Sequence, residues 1–349
     1  MMTPVGRLIV VGSAPRERLV AAMAWFTTPA LIGPLVGPPI AGLILAATGD
    51  WRWIFLINMP VGILGMLAVL RFAPKLEAND PGRFDVKGFA LSAVTITALV
   101  VLAETFGVGL TPLWAQVALL GTVMAGGALY LRHASRSPKP ILNLRLLKLA
   151  SYRASLLGGT LVRLGLGATP FLMPLLLQVG LGWSPVRAGL VTISTAVGAL
   201  SVKPVAPWLL RRFGFRTILL VTIVGAAVLT AVPGFYRAST PIWLMIASLL
   251  LGGFVRSLQF TSANTIAYAE VDRSQVSQAS TLATVAQQIG MSLGVSFGAL
   301  LLHTTRGSSG VLTPDRFVIP FLAVGAGTLL AAPVYWRLNP KAGAEITGR

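Results

Sequence analysis

The chain is built from apolar runs of membrane-spanning length. Ten stretches carry few charges over the about 20 residues that a helix needs to cross a hydrocarbon layer. They are 19–48, 54–72, 88–107, 113–131, 154–178, 187–209, 216–234, 241–264, 280–303 and 316–337. Lipid offers no hydrogen-bond partners, so a span must satisfy its backbone internally, as a helix does. The pattern therefore predicts an all-α, polytopic membrane protein. Residues 1–12 are apolar but too short to cross at about 1.5 Å per residue, and they read as the second half of a helix. They also carry Arg7 in mid-run and no charged leader, so no signal peptide is expected.

Charge limits the remaining classes. Of 349 residues, 55% are hydrophobic and 11% charged, where soluble domains carry about 25% charged residues. The net charge of +18 does not point to nucleic acid, because the basic residues sit singly or in short groups between spans. There is no cysteine, and His133 and His303 fall in different breaks, so neither a metal site nor a cofactor is expected. The basic residues instead give orientation. One set of alternate breaks holds 19, the other set 5 and the spans 4, so the 19-residue side, with the C-terminus, is expected in the cytoplasm. Within that side, residues 132–153 contain ILNLRLLKL, which reads as a short amphipathic helix on the membrane surface.

Residues 30–65 carry the most specific pattern. Gly33, Gly37 and Ala41 recur every fourth position and make a stripe without side chains, beside Pro34, Pro38 and Gly42. Such a stripe admits a neighbouring helix backbone, and the prolines should bend the helix. A polar, aromatic break follows, with Trp51, Arg52 and Trp53, and then Asn58 before Pro60. Tryptophan suits the membrane–water boundary.

The string Gly33-Pro34-x-x-Gly37-Pro38-x-x-Ala41-Gly42 resembles the antiporter motif of helix 5 in the major facilitator superfamily. The stretch Trp51-Arg52-Trp53-Ile54-Phe55-x-Ile57-Asn58-x-Pro60 resembles the start of helix 6 in its fourteen-helix drug:proton antiporters, the EmrB/QacA type. Ala41-Gly42 stands where that pattern usually has Gly-Gly. Residues 206–219 resemble the second-half copy of the family's loop signature, with Arg212, Gly214 and Arg216 retained and Arg211 in place of an acidic residue. Gly290, Gly294 and Gly298 would be the second-half counterpart of the first stripe.

The resemblance implies a helical bundle of that superfamily lacking about its first three and a half helices. It divides the chain into residues 1–72, a remnant of the first bundle; 73–153, two accessory helices and a basic linker; and 154–349, a six-helix bundle.

Ionisable groups inside a membrane are functional candidates by default. Arg163 shares a face with Gly167, Pro170 and Pro174; Arg256 has Gln259 and Asn264 nearby; Gln287 lies on the glycine face, with Gln288 turned away. These six polar residues either line a substrate or proton pathway or bond helices together. Lys203, two turns from the cytoplasmic end, is expected to snorkel. Among ten carboxylates only Glu104 falls inside a span, and near its outer end.

The family resemblance implies proton-driven efflux of drug-like or amphiphilic molecules, expected to be impaired in a chain without the first three and a half helices, with the bilayer, protons and a small molecule as partners and no nucleic acid. Two alternatives stay open: a non-transporting fragment from a broken gene or misassigned start, and a transporter of one specific metabolite. An enzyme is not expected, since the chain shows no P-loop or zinc-protease motif. Oligomeric state has no signature.

Overall fold

The computed structural model describes residues 6, 9–10, 15, 18–26, 33, 40, 44, 47–72, 85–105, 111–138, 140–272, 275–305, 312–340 and 342–347. Its elements are α1 (Leu19–Phe26), α2 (Arg52–Phe72), α3 (Val86–Thr105), α4 (Leu113–Arg136), α5 (Ala150–Gly180), α6 (Pro185–Ser201), α7 (Ala206–Phe213), α8 (Phe215–Phe235), α9 (Ile242–Ile266), α10 (Val276–Thr305) and α11 (Pro314–Trp336). Among the described residues eight helices are long and apolar enough to cross a membrane, and α6 with α7 makes a ninth as a bent pair. These correspond to nine of the ten expected spans; most of 19–48 lies outside the described residues.

Local chemistry sets the helix ends. Asp50 caps α2 by accepting from the Arg52 amide at 3.0 Å. Ser184 accepts from the Arg187 amide at the start of α6, with Pro185 in the first turn, where a missing N–H costs nothing. Gly214, at φ +79°, ends α7 and opens α8 in a conformation that a Cβ would strain. In α5 the helix runs through Pro170 and Pro174 and then loosens into a π-helical turn, Leu175–Gly180.

Helices α5 to α11 pack as two interlocked triples, α5–α6/α7–α8 and α9–α10–α11. The first helix of one pairs with the second of the other, both times in parallel. Along α5 and α10, Gly290 faces Thr160 and Arg163, Gly294 faces Leu164 and Gly298 faces Ala168. Along α6 and α9, Gly253 faces Thr195, the Ser257 hydroxyl donates to the Ala199 carbonyl at 2.8 Å, and Lys203 reaches Thr261. Small residues let the backbones approach closely, since lipid supplies no hydrophobic force between helices. Helices α8 and α11 close the outer side antiparallel, with Gly325 over Ala227.

The hairpin α3–α4 docks through α3 on α10. Asp85 organises its base. Its carboxylate caps α3 through the Gly88 amide at 2.9 Å, meets His133 Nε2 at 2.7 Å and accepts from the Ile141 amide at 3.2 Å. Burial alone would raise this carboxyl, but the bonds from Gly88, His133 and Ile141 outweigh it and hold it below the ordinary value. Helix α2, by contrast, buries none of its residues, as a helix solvated by lipid can.

Three expectations need correction. The span 187–209 is not one helix: it breaks after Ser201 and turns by 57° into α7. Pro204 is the local reason, because it cannot donate to the helix. Lys203 does not snorkel; it is 2% exposed, and its Nζ donates to Thr261 Oγ1 at 3.2 Å. The ILNLRLLKL segment forms only a short 3-10 turn, Leu144–Lys148, with Leu146 in the protein core. Asn143 anchors it, capping the turn through Arg145 and donating to Gln278 of α10 at 2.7 Å.

Candidate functional site

Arg163 sits mid-way along α5, and its side chain turns back over Gly159, where a Cβ would lie 2.6 Å from Nη1. Nη2 donates to Asn264 Oδ1 of α9 at 3.3 Å, and the guanidinium lies 5.7 Å from the Phe260 ring centroid. Asn264 donates in turn to the Phe260 carbonyl. Gln259, one turn earlier on α9, accepts from the Thr222 hydroxyl of α8. Tyr335 of α11 presses its ring on Gly158 and turns its hydroxyl toward Arg163 and Gln259. Four helices thus meet at one polar cluster. Arg163, Gln259, Asn264 and Tyr335 are 4%, 1%, 3% and 0% exposed, which leaves no room for a substrate in this conformation.

Arg256 belongs to a different neighbourhood. It is half-buried, donates from Nε to the Gly252 carbonyl at 3.1 Å and faces the Tyr236 side of the bundle. Tyr236 is held there by Ser248 at 2.7 Å. The structure therefore brings Arg163, Gln259 and Asn264 together and gives Arg256 other partners. Gln287 lies half-buried one turn before Gly290, with its Oε1 buried and no donor to it among the described residues, while Gln288 is exposed.

Of the antiporter string, Gly33 is described: it is exposed, and a Cβ on it would meet nothing within 4 Å. Pro34, Gly37, Pro38, Ala41 and Gly42 lie outside the described residues. Trp51, Arg52 and Trp53 stand exposed at the start of α2, with Arg52 3.7 Å from Asp50 and 5.3 Å from the Trp51 ring centroid. Asn58 and Pro60 are exposed further along, just past a helix break at Ile57. In the loop copy, Arg212 ends α7, Gly214 makes the turn, and Arg216 lies 5.3 Å from the Trp336 ring centroid.

Thr222 and Tyr335 complete the Arg163 cluster, yet nothing in the sequence marks them. Both are ordinary in apolar spans, and their pairing depends on how α8 and α11 close. A cleft of about 460 Å³, lined by Thr304, Thr305, Thr313, Asp315, Arg316 and Ile319, lies near the other end of α10. That is about 21 Å along the helix from Gly290 at ~1.5 Å per residue. Beside it Arg237 and Asp315 pair at 2.6 Å. Among the described residues no three His, Asp or Glu side chains group as metal ligands would.

The family model described as Major Facilitator Superfamily matches residues 1–149 and 155–348, essentially the whole chain. The chain belongs to the major facilitator superfamily. It is therefore a multi-pass membrane protein, and the two interlocked triples are the inverted repeats from which each half of such a bundle is made. Among curated relatives, "Putative multidrug resistance protein MdtD" of Cronobacter sakazakii is 37% identical over 313 residues, covering 86% of this chain and 64% of that protein. The Citrobacter koseri protein of the same name is 37% identical over 309 residues, with the same coverage. The Escherichia fergusonii protein is 37% identical over 348 residues, 97% of this chain and 72% of the relative. The chain thus spans about 64% of the length of the first two.

Proposed function

We propose that the chain works in proton-driven export of drug-like or amphiphilic small molecules across the plasma membrane. The reading is carried by its 37% identity, over 86% to 97% of its length, to superfamily members named for multidrug resistance. The antiporter string from Gly33 to Gly42 and the Trp51-Arg52-Trp53 stretch support it. The chain is a transporter component and not an enzyme. Its C-terminus lies in the cytoplasm, in keeping with the distribution of lysine and arginine. Residues 154–349 act as one rocking half around a central path. Arg256 and Gln287, half-buried, line that path, while Arg163, Gln259 and Asn264 hold the half together. Substrate and protons are the partners; the bilayer is the solvent.

The half-buried Arg256 supports a second reading, transport of one anionic metabolite. Growth of a pump-deficient bacterium separates the two. Expression should raise the tolerated concentration of several unrelated dyes and cationic amphiphiles together. Protection against none of them overturns the multidrug reading.

A further inference from the structure

At one end of the bundle the chain turns a basic, aromatic surface outward. Helix α7 has two faces: Ala206 and Leu210 are fully buried, while Trp208, Arg211, Arg212 and Phe213 are exposed. Helix α7 leaves α6 at a bend of 57°, which turns its exposed face away from the axis of α6. The Trp208 and Phe213 rings meet edge to face with centroids 6.4 Å apart. Gly214 reverses the chain into α8, whose Arg216 lies over Trp336, and the exposed Arg337 follows at the end of α11.

Among the described residues, few anions reach this surface. From residue 105 to residue 269 the chain has no carboxylate and 14 lysines and arginines. The short helix Ala344–Thr347, packed beside α7, brings Glu345. Against it stand Arg211, Arg212, Arg216 and Arg337, so the surface keeps an excess of positive charge. Exposed tryptophans at the ends of apolar helices match the boundary between headgroups and acyl chains. Exposed arginines beside them match the phosphates of an anionic leaflet, within the short reach that salt allows.

We infer that the surface formed by α7, the start of α8 and the end of α11 binds anionic phospholipid headgroups. Arg211, Arg216 and Arg337 meet the phosphates, while Trp208, Phe213 and Trp336 seat at the acyl boundary. A free phosphate would use the arginines but not the aromatic flank, so the occupant is a lipid. The inference does not depend on what the protein transports.

The test is native mass spectrometry of the purified full chain, titrated with phosphatidylglycerol or with phosphatidylcholine of the same acyl chains. Phosphatidylglycerol should be retained in preference. Arg211→Gln with Arg216→Gln should weaken it about 25-fold, at roughly fivefold per basic residue removed, and leave phosphatidylcholine unchanged. Arg211→Gln alone, on an exposed side chain, decides the matter if the double variant does not fold; it should weaken retention about fivefold. Equal retention of the two lipids, or an unchanged preference in the variants, overturns the inference. So does competition by glycerol phosphate at the same concentration, which would mark a site for free anions.

Discussion

Two arginines of similar depth have unlike surroundings. The Arg163 guanidinium is enclosed by Asn264, Phe260 and Gly159, whereas Arg256 bonds its own helix and keeps part of its side chain accessible. A buried charge with good partners costs much to break and tolerates little movement. The chain has no cysteine, so a single introduced thiol reports alone. Arg256→Cys should react with a water-soluble maleimide in membranes, and Arg163→Cys should stay protected until the protein is unfolded. Equal labelling at the two sites would contradict the division of roles between them. The sequence marks both arginines because a charge in an apolar run is conspicuous. It hides Tyr335 and Thr222, whose hydroxyls look like ordinary span residues. It also misleads at Lys203: a lysine near a span end usually snorkels, but the break at Pro204 turns the chain before it can, and Thr261 receives the ammonium.

Glycines set the register of α5 against α10. A methyl on Gly294 would run into the Leu164 carbonyl oxygen, and one on Gly167 into that of Met291. Backbone cannot step aside as a side-chain tip can, so the helices would have to separate. Gly294→Ala should therefore cost about 1–3 kcal/mol, read as a lower melting temperature in detergent. Gly327→Ala, with nothing within 4 Å of its Cβ, should melt at or slightly above the wild type, because alanine favours the helix. Identical melting of Gly294→Ala and wild type would contradict the close approach. The stripe of Gly290, Gly294 and Gly298 is legible because its members recur every fourth residue. Gly198 and Gly253, which do the same work between α6 and α9, belong to no fourth-residue glycine repeat and come together only when the two helices meet. The bend at α6–α7 is only half legible: Pro204 announces a break, but not whether the chain continues across the layer or turns along its edge.

For the molecule as a whole, hydropathy alone marks the spans, because a span satisfies its own backbone and so must be long and continuous. How the spans pair is not written that way. The parallel contacts α5–α10 and α6–α9 join helices far apart in the chain, and only the family's repeat logic anticipates them. The same logic frames the function. The proposed export rests on two halves rocking about a central path; the hairpin α3–α4 packs on α10, and Asp85 ties its base to the linker. The direct measurement is dye uptake into inverted membrane vesicles under an imposed proton gradient, for the 349-residue chain and for a version extended to the length of its relatives. Uptake in either form that stops when the gradient is collapsed is the predicted result. No gradient-dependent uptake in either form, with both inserted and stable, would contradict proton-driven export.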